Sequence, residues 1–248
     1  MIGAIIQARM GSSRLPGKVL KTIEGIEILL YQIGRIKKSK KVKTIIVATS
    51  NNRLDDPIES FCHHNNLICF RGALNDVLSR YYYAAKKFKI DTIVRLTADC
   101  PLVHSKEIDQ TISILLENNL DYSSNTVPPE TSTYPDGSDV EVFTFSALKK
   151  AWKYEKDPNY REHVTFHFWK NNNQNQFNIG QLTSKKNWSK YRYTIDYIED
   201  YEVVKKIIMQ LKINKLLGST KEIVSILEKN LDIYNLNAKY YFGIGWEK

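Results

Sequence analysis

Cysteine is scarce in this chain of 248 residues, which contains only Cys62, Cys69 and Cys100. Three cysteines cannot all pair with one another and none belongs to a C-x-x-C motif, so we expect no disulfide framework and favour a reducing compartment. Long apolar runs are also missing, because no run approaches the roughly 18 residues of a membrane helix. Residues 1–6 are apolar but too few for the hydrophobic region of a secretory signal. We therefore expect a cytoplasmic protein without a membrane partner.

Acidic residues are outnumbered, since 36 Lys and Arg residues face 27 Asp and Glu residues and give a net charge of +9. A basic surface attracts nucleic acids, anionic membranes or phosphorylated small molecules. A lysine-rich solvated surface explains the same charge equally well. The chain contains no recognisable basic recognition helix, RNP motif or zinc finger, so we expect no nucleic-acid partner.

Apolar strand segments alternate with amphipathic helix segments over the first 120 residues. The predicted strands are residues 2–8, 42–48, 67–70 and 92–96, and the predicted helices are residues 26–36, 55–64, 75–88 and 105–117, with Ser105 as N-cap of the last. Such alternation is typical of an α/β fold with helices on both faces of a parallel sheet. The sequence thus predicts a three-layer, mostly parallel, Rossmann-like sheet.

The pattern becomes mixed from residue 121 onward. Strands are predicted at residues 122–127, 139–143, 178–183 and 192–194, helices at residues 146–154, 161–169, 201–211 and 220–228, and a polar turn at residues 171–175. The aromatic tail, residues 233–248, is expected to pack on the domain or on a partner. Because no linker or internal repeat interrupts the chain, we predict a single domain over residues 1–248 with an acceptor-binding subregion around residues 121–190.

A basic, glycine-containing loop follows the first predicted strand, and residues 5–18 read IIQARMGSSRLPGK. Glycines let the backbone approach an anion, and consecutive loop N–H groups can form an anion-binding concavity. Arg9, Arg14 and Lys18 bring positive charge to phosphate oxygens. A Walker A motif is excluded, because the two glycines are one residue too far apart and Val19 replaces the Ser or Thr that holds Mg²⁺. An ordinary basic loop between strand and helix is the plain alternative.

Two aspartates follow predicted strands, Asp99 in RLTADCPLV and Asp196 in YRYTIDYIED. A carboxylate at the C-terminal end of a parallel strand faces the ligand crevice of the sheet. Mg²⁺ is commonly held by one or two carboxylates together with substrate phosphates. An isolated aspartate at such a position is more often a cap or turn residue, but the pairing with the basic loop favours a Mg²⁺ site at Asp99 and Asp196.

The loop closely resembles the N-terminal signature of sugar nucleotidyltransferases, because residues 8–18 match A-R-x-G-S-x-R-[LF]-P-G-K throughout. The nearest resemblance is to the spore-coat polysaccharide cytidylyltransferases, which are related to the enzymes that make CMP-activated acidic sugars. Further segments resemble this family: RLTADCPL, YTIDYIED, ATSNNRLDDPI, FRGALNDVLSRYYYAA, YPDGSDVEVFTFSAL and YREHVTFHFW. Ala73, Ala98 and the pair Tyr197-Ile198 depart from the family pattern, so the loop geometry after Asp196 is less well defined by the resemblance.

The resemblance implies a sheet of the nucleotide-diphospho-sugar transferase (GT-A-like) type and a Mg²⁺-dependent transfer of CMP from CTP to a sugar or related acceptor. Pyrophosphate would be released, in the formation of surface polysaccharide precursors, and a homodimer is possible. The implied nucleotide-binding residues are Gln7, Ala8, Arg9, Gly11, Ser12, Ser13, Arg14, Lys18, Arg71, Arg80 and Thr97, with Lys18, Arg9 and Asp99 catalytic and Asp99 and Asp196 on the metal. The implied acceptor-binding residues are Asp136, Asp139, Glu141, Arg161 and His163, although His163 is as well explained as a core histidine.

Two other functions compete with this interpretation. A glycosyltransferase would use a nucleotide sugar on a similar fold, but such enzymes commonly carry a D-x-D metal motif, and the nearest segment here is Asp139-Val-Glu141. A non-enzymatic nucleic-acid-binding protein would account for the +9 charge alone. The nucleotidyltransferase interpretation is preferred because it also accounts for the loop and the two aspartates.

Overall fold

The computed structural model describes residues 1–170 and 176–244, so the predicted turn at residues 171–175 lies outside the described residues. The strands are β1 (Ile2–Gln7), β2 (Thr22–Ile23), β3 (Ile26–Glu27), β4 (Thr44–Ser50), β5 (Ile68–Gly72), β6 (Thr92–Thr97), β7 (Tyr122–Ser124), β8 (Glu141–Thr144) and β9 (Ile179–Gln181). The helices are α1 (Ile28–Ile36), α2 (Asp56–His64), α3 (Val77–Lys87), α4 (Ser105–Glu117), α5 (Phe145–Tyr154), α6 (Pro158–His163), α7 (Phe166–Trp169), α8 (Ile198–Ile213), α9 (Thr220–Lys229) and α10 (Leu231–Tyr234).

Within these residues, a seven-stranded sheet has the order β5-β4-β1-β6-β8-β7-β9. Neighbouring strands from β5 to β6 are parallel, β8 is antiparallel to both its neighbours, and β7 pairs in parallel with β9. The predicted α/β fold with a mostly parallel sheet is therefore confirmed. The carboxyl ends of β1, β4 and β6 meet at one edge, where a ligand crevice is expected.

Helices cover both faces of the sheet, as the alternation of buried side chains along β1 requires. Ile5 points into a core with α3 and α5, whereas Ala4 and Ile6 point into a core with α1, α2 and α4. A third apolar cluster joins α8, α9 and α10 to Leu15 and Ile28. This cluster holds the C-terminal helices beside the basic loop. No helix within the described ranges is long and apolar enough to cross a membrane.

Several predicted elements differ from the structure for local reasons. The helix predicted at residues 161–169 is divided into α6 and α7, because Val164 adopts a left-handed φ of 60°. The strand predicted at residues 122–127 ends at Ser124, whose hydroxyl accepts hydrogen bonds from the amides of Thr126 and Val127. Residues 192–194 form no strand, and Arg192 makes only an isolated bridge to Asp136.

Two helix starts and one N-cap show further local differences from the prediction. The first predicted helix begins at Ile28, because residues 26–27 pair with β2 as a short strand. The N-cap of α4 is His104 rather than Ser105, and it makes no side-chain capping bond. Helix α8 begins at Ile198, earlier than predicted, where Asp200 accepts hydrogen bonds from the amides of residues 196 and 197.

Candidate active site

Backbone hydrogen bonds fold the basic loop after β1. The carbonyl of Met10 accepts hydrogen bonds from the amides of Ser12 and Gly17, at 2.9 and 3.0 Å. Gly17 has a left-handed φ of 69°, which glycine adopts without strain. The Met10 amide donates to Asp55 Oδ1 at 2.7 Å, so the loop is also fixed to the segment after β4. These contacts hold the backbone of the loop in shape.

The loop forms one wall of a cavity of about 130 Å³. Its lining comprises Gln7, Arg9, Ser12, Ser13, Arg14, Lys18, Val19, Thr97, Ala98, Asp99 and Asp196. Three of these side chains are cationic and three carry hydroxyls, a combination suited to phosphate oxygens. We refer to this space as the phosphate cavity.

Lys18 joins the two aspartates at the end of the phosphate cavity. Its Nζ donates to Asp99 Oδ2 and to Asp196 Oδ1, both at 2.9 Å, and to the carbonyl of Ile195 at 2.6 Å. Burial alone would lower the pKa of Lys18, but the charges of Asp99 and Asp196 raise it above its usual range. Burial likewise opposes ionisation of Asp99, yet the charge of Lys18 and a hydrogen bond from Thr97 lower its pKa to about 2. The Lys18 ammonium therefore lies between the carboxyl groups of Asp99 and Asp196.

Hydrogen bonds to the Asp99 carbonyl, and not a β-strand, bring Asp196 close to Asp99. The amide of Ile195 donates to the carbonyl of Asp99 at 2.8 Å, and the hydroxyl of Thr194 donates to the same carbonyl at 3.3 Å. The expected position of Asp196, directly after a strand, is therefore wrong. Its expected proximity to Asp99 is nevertheless observed.

A second cavity of about 200 Å³ adjoins the phosphate cavity. The two share Gln7, Arg14, Thr97, Asp99 and Asp196. The remaining lining residues are Arg95, Cys100, Val127, Asp136, Asp139, Glu141, His163, Thr165, Phe166, Trp169, Arg192, Thr194, Phe242 and Gly243. We call this space the acceptor cavity, because a reactant bound in it would lie next to the phosphate cavity, beside Asp99 and Asp196.

Arginine–carboxylate pairs form the floor of the acceptor cavity. Arg95 binds Glu141, whose second oxygen accepts a hydrogen bond from Tyr122. Arg192 binds Asp136, and it also contacts Asp200 at 3.0 Å. Such buried pairs leave little charge on these arginines for a ligand, because each guanidinium already has an anionic partner.

Two carboxylates in this cavity have elevated pKa values. Burial raises the pKa of Asp136 well above its usual range, and the nearby charge of Asp139 adds to the effect. Burial also raises the pKa of Asp139, although hydrogen bonds from Gly137 and Thr126 oppose it. Both carboxyls therefore keep their protons to a higher pH than ordinary aspartates do.

Most of the residues singled out in the sequence come together in these cavities. They are Gln7, Arg9, Ser12, Ser13, Arg14, Lys18, Thr97, Asp99, Asp136, Asp139, Glu141, His163 and Asp196. Ala8 and Gly11 belong to the loop but do not line either cavity. Their roles in binding stay predictions.

Three predicted arginines lie elsewhere. Arg71 pairs with Asp56 and Glu59 on α2. Arg80 is buried and donates to the carbonyls of residues 73 and 74, so it stabilises the turn before α3. Arg161 pairs with Asp76 at 2.8 Å and lines a separate surface depression. None of the three lines the cavities described above, and their predicted roles in binding remain untested.

The C-terminal tail contributes residues that the sequence did not single out. Asn237 is buried and donates to Asp200 at 2.8 Å and to the Arg192 carbonyl at 3.2 Å. The ring of Tyr240 stacks on Tyr197 with centroids 4.0 Å apart. Phe242 then lines the acceptor cavity. The tail up to residue 244 therefore packs on the domain, one of the two outcomes expected, and lines the acceptor cavity.

Asp99 and Asp196 are the two residues that the sequence predicted to hold Mg²⁺. In residues 1–170 and 176–244 no cluster of three or more His, Cys, Asp or Glu side chains has the arrangement of a complete metal site. Two aspartates that share one ammonium nevertheless suit Mg²⁺, which commonly takes its other ligands from phosphates and water. The residues present therefore fit a magnesium ion that binds together with a triphosphate.

Comparisons with known proteins extend over most of the chain. A family model described as cytidylyltransferase matches residues 3–233. The spore coat polysaccharide biosynthesis protein SpsF of Bacillus subtilis is 30% identical over 239 residues, covering 92% of this chain and 94% of that protein.

Solved structures give a consistent result. A cytidylyltransferase from Leptospira borgpetersenii is 36% identical, covers 94% of this chain and 96% of its own, and has a TM-score of 0.85. A CMP:2-keto-3-deoxy-manno-octonic acid synthetase complexed with CTP has a TM-score of 0.62 and covers 84% of this chain and 98% of its own. Its 15% identity supports a shared fold alone.

Proposed function

Because the chain belongs to the cytidylyltransferase family, we propose that it transfers CMP from CTP to a sugar or related acceptor and releases pyrophosphate. Family membership supports a nucleotidyltransferase and not a glycosyltransferase or a nucleic-acid-binding protein. The position of Lys18 carries the proposal, because its Nζ lies 2.9 Å from both Asp99 and Asp196 where the two cavities join. The similarity to a spore coat polysaccharide biosynthesis protein supports a role in surface polysaccharide precursors.

The phosphate cavity provides the groups that a triphosphate needs. Arg9, Arg14 and Lys18 supply positive charge, and Ser12 and Ser13 supply hydroxyls. Transfer at phosphorus depends mainly on positioning and on stabilising charge. We infer that these basic side chains stabilise the negative charge that develops on the departing pyrophosphate.

Asp99 and Asp196 are the residues that would hold Mg²⁺. When bound, the metal would neutralise charge on the α-phosphate and help to activate the acceptor oxygen. Asp99, with a pKa of about 2, is a weak base near neutral pH. We therefore infer that Asp99 positions the cationic groups of the site and does not remove the acceptor proton.

Nucleotide binding tests the proposal without knowledge of the acceptor. Calorimetry with CTP, UTP, ATP and GTP, each with and without Mg²⁺, should show the tightest binding for CTP with Mg²⁺. Lys18→Met should weaken CTP binding by about tenfold or more, because it removes a buried charge that contacts the site. Lys21→Met is the control, since Lys21 lies outside both cavities.

A screen of acceptors with detection of pyrophosphate then tests the reaction. Release of pyrophosphate from CTP that requires both Mg²⁺ and an acceptor is expected. A protein that binds no triphosphate, or one whose affinity is the same after Lys18→Met, would contradict the proposal.

A further inference from the structure

The C-terminal tail holds the segment that carries Asp196 at two points. The first point is polar: the Asn237 side chain donates to Asp200 Oδ1 at 2.8 Å. The other oxygen of Asp200 accepts hydrogen bonds from the amides of Asp196 and Tyr197, at 2.9 and 3.0 Å. The second point is aromatic, because the ring of Tyr240 stacks on the ring of Tyr197 with centroids 4.0 Å apart and planes 4° from parallel. The tail therefore holds Tyr197 through both its backbone and its ring.

Tyr197 in turn lies beside a basic side chain of the phosphate cavity. The guanidinium carbon of Arg14 is 5.2 Å from the centre of the Tyr197 ring, within the roughly 6 Å over which an aromatic ring attracts a cation. Arg14 lines both cavities, whereas neither Tyr197 nor Tyr240 lines either of them. The stacked rings are therefore placed to act on a ligand through Arg14 rather than by direct contact.

Arg14 has a second partner in Asp196, whose Oδ1 lies 3.1 Å from its Nη2. The same oxygen accepts a hydrogen bond from Lys18, and Asp196 is also a proposed ligand of Mg²⁺, so its charge is shared among several cations. The attraction between the Tyr197 ring and Arg14 does not depend on how that charge is shared. An arginine that is already held in place loses less conformational freedom when it binds phosphate, and this raises the affinity of the site.

We propose that Tyr240 is a positioning residue for triphosphate binding, which holds the ring of Tyr197 against Arg14 and so keeps the Arg14 guanidinium in the phosphate cavity. This inference rests on the proposed cytidylyl transfer and adds the C-terminal tail to the nucleotide site. The tail then serves both cavities, since Phe242 lines the acceptor cavity.

Calorimetry with CTP and EDTA tests this role, because the metal then makes no contribution to the affinity. Tyr240→Leu removes the ring but keeps an apolar side chain, and it should weaken CTP binding by at least about threefold, the factor expected for an arginine–aromatic contact. Tyr240→Phe keeps the stacked ring and should bind CTP as the wild type does. Tyr234→Leu is the matched control, since Tyr234 belongs to the same tail but packs on Tyr191, away from both cavities.

A double-mutant cycle with Arg14→Met separates positioning from a merely structural role. If Tyr240 acts through Arg14, Tyr240→Leu should cost clearly less CTP affinity in a chain that already carries Arg14→Met. Tyr197→Leu removes the neighbouring ring and should give a loss of at least the same size as Tyr240→Leu, so the inference can be tested even if the latter does not fold. An equal loss in both backgrounds, or a loss of less than about threefold in the folded ring variants, would overturn the inference.

The same titrations separate the two proposals. A wild-type chain that binds no CTP would contradict the proposed function itself. CTP binding that is weakened by Arg14→Met but not by Tyr240→Leu would contradict only the role of Tyr240. An affinity that Arg14→Met leaves unchanged would remove Arg14 from the phosphate site and this inference with it.

Discussion

Asp55 accepts a hydrogen bond from the Met10 amide at 2.7 Å and thereby connects the basic loop after β1 to β4. Its other oxygen accepts from the amide of Ser50, the last residue of that strand, at 3.2 Å, and from the Ser50 hydroxyl. Asp55 is only 2% exposed. One buried carboxylate thus holds the loop and the strand end in a fixed relation, although it does not line the phosphate cavity.

Asp55→Ala should therefore raise the KM for CTP by about tenfold or more, because loss of a buried hydrogen-bonding group costs about 1–3 kcal/mol and frees the Met10 amide. Steady-state kinetics and calorimetry measure the effect. Asp109→Ala is the matched control, since Asp109 holds the amides of Lys40 and Lys41 in a loop remote from the site. Equal CTP affinity in the two variants would show that Asp55 does not position the loop.

Asp99→Asn should reduce Mg²⁺-dependent release of pyrophosphate by at least about a hundredfold. The amide is a poorer metal ligand, and the charge opposite Lys18 is lost. CTP binding without Mg²⁺ should persist, because the variant keeps every basic side chain of the phosphate cavity. Circular dichroism checks the fold, and Glu117→Gln controls for loss of a distant carboxylate. Substantial Mg²⁺-dependent turnover by well-folded Asp99→Asn would exclude Asp99 as the metal ligand.

Phe242→Ala should raise the KM for the acceptor and leave the KM for CTP nearly unchanged. Phe242 lines the acceptor cavity but not the phosphate cavity, so its loss should separate the two constants. Phe242 is half-buried, and truncation of an aromatic anchor in a binding site typically costs about 2 kcal/mol or more. Tyr154→Ala controls for loss of an exposed aromatic ring. An equal rise of both KM values would instead indicate a general disturbance of the site.

The sequence alone predicted the parts of the site that depend on local signals. The order of β1, loop and α1 follows from an apolar run, a glycine-containing segment and an amphipathic helix, and the sheet follows from their repetition. The loop motif and the strand ends likewise located Lys18 and Asp99. The homodimer, the binding roles and the division into one domain with a subregion stay predictions.

Contacts between distant segments could not be predicted in the same way. Arg192 precedes the YTID motif, but its pairing with Asp136 depends on the path of the loop from residue 128 to 140. Phe242 reaches the cavity only because Asn237 and Tyr240 fix the tail. The continuous helix predicted at residues 161–169 is wrong for a different reason. Val164 has a positive φ of 60°, which β-branched residues disfavour, so its side chain gives no sign of the break.

Glu107 should make the stability of the protein fall as pH rises. Burial raises the pKa of this carboxyl from 4.5 to about 7, against opposing effects of Thr220 and Arg35. Between those two values the folded chain holds a proton that the unfolded chain has released. The stabilisation is therefore complete below about pH 4.5 and is lost as pH rises through about 7.

Glu107→Gln should remove this dependence. Relative to the wild type, the unfolding free energy of the variant should increase by on the order of 3 kcal/mol between pH 4.5 and pH 8. Urea unfolding at both values measures it, and Glu117→Gln on the same helix should show no such change. A constant difference across this range would mean that Glu107 has the same pKa in the folded and unfolded chains.

Gly137 lies where the loop before β8 meets the segment that carries Arg192. Its φ is 106°, and a Cβ at this position would lie 2.3 Å from the amide nitrogen of Thr194. The amide of Tyr193 donates to the Asp136 carbonyl at 2.7 Å, so the two backbones cannot separate without loss of this bond. Gly137→Ala should therefore destabilise the protein by about 3 kcal/mol or more.

Gly34→Ala is the matched control for this substitution. Gly34 lies inside α1 with nothing within 4 Å of the added Cβ, so alanine should stabilise the helix by about 0.5–1 kcal/mol. Thermal and urea unfolding of the two variants should therefore shift in opposite directions. If Gly137→Ala unfolds within about 1 kcal/mol of the wild type, the contact between residues 136–137 and 192–194 does not hold the acceptor cavity together.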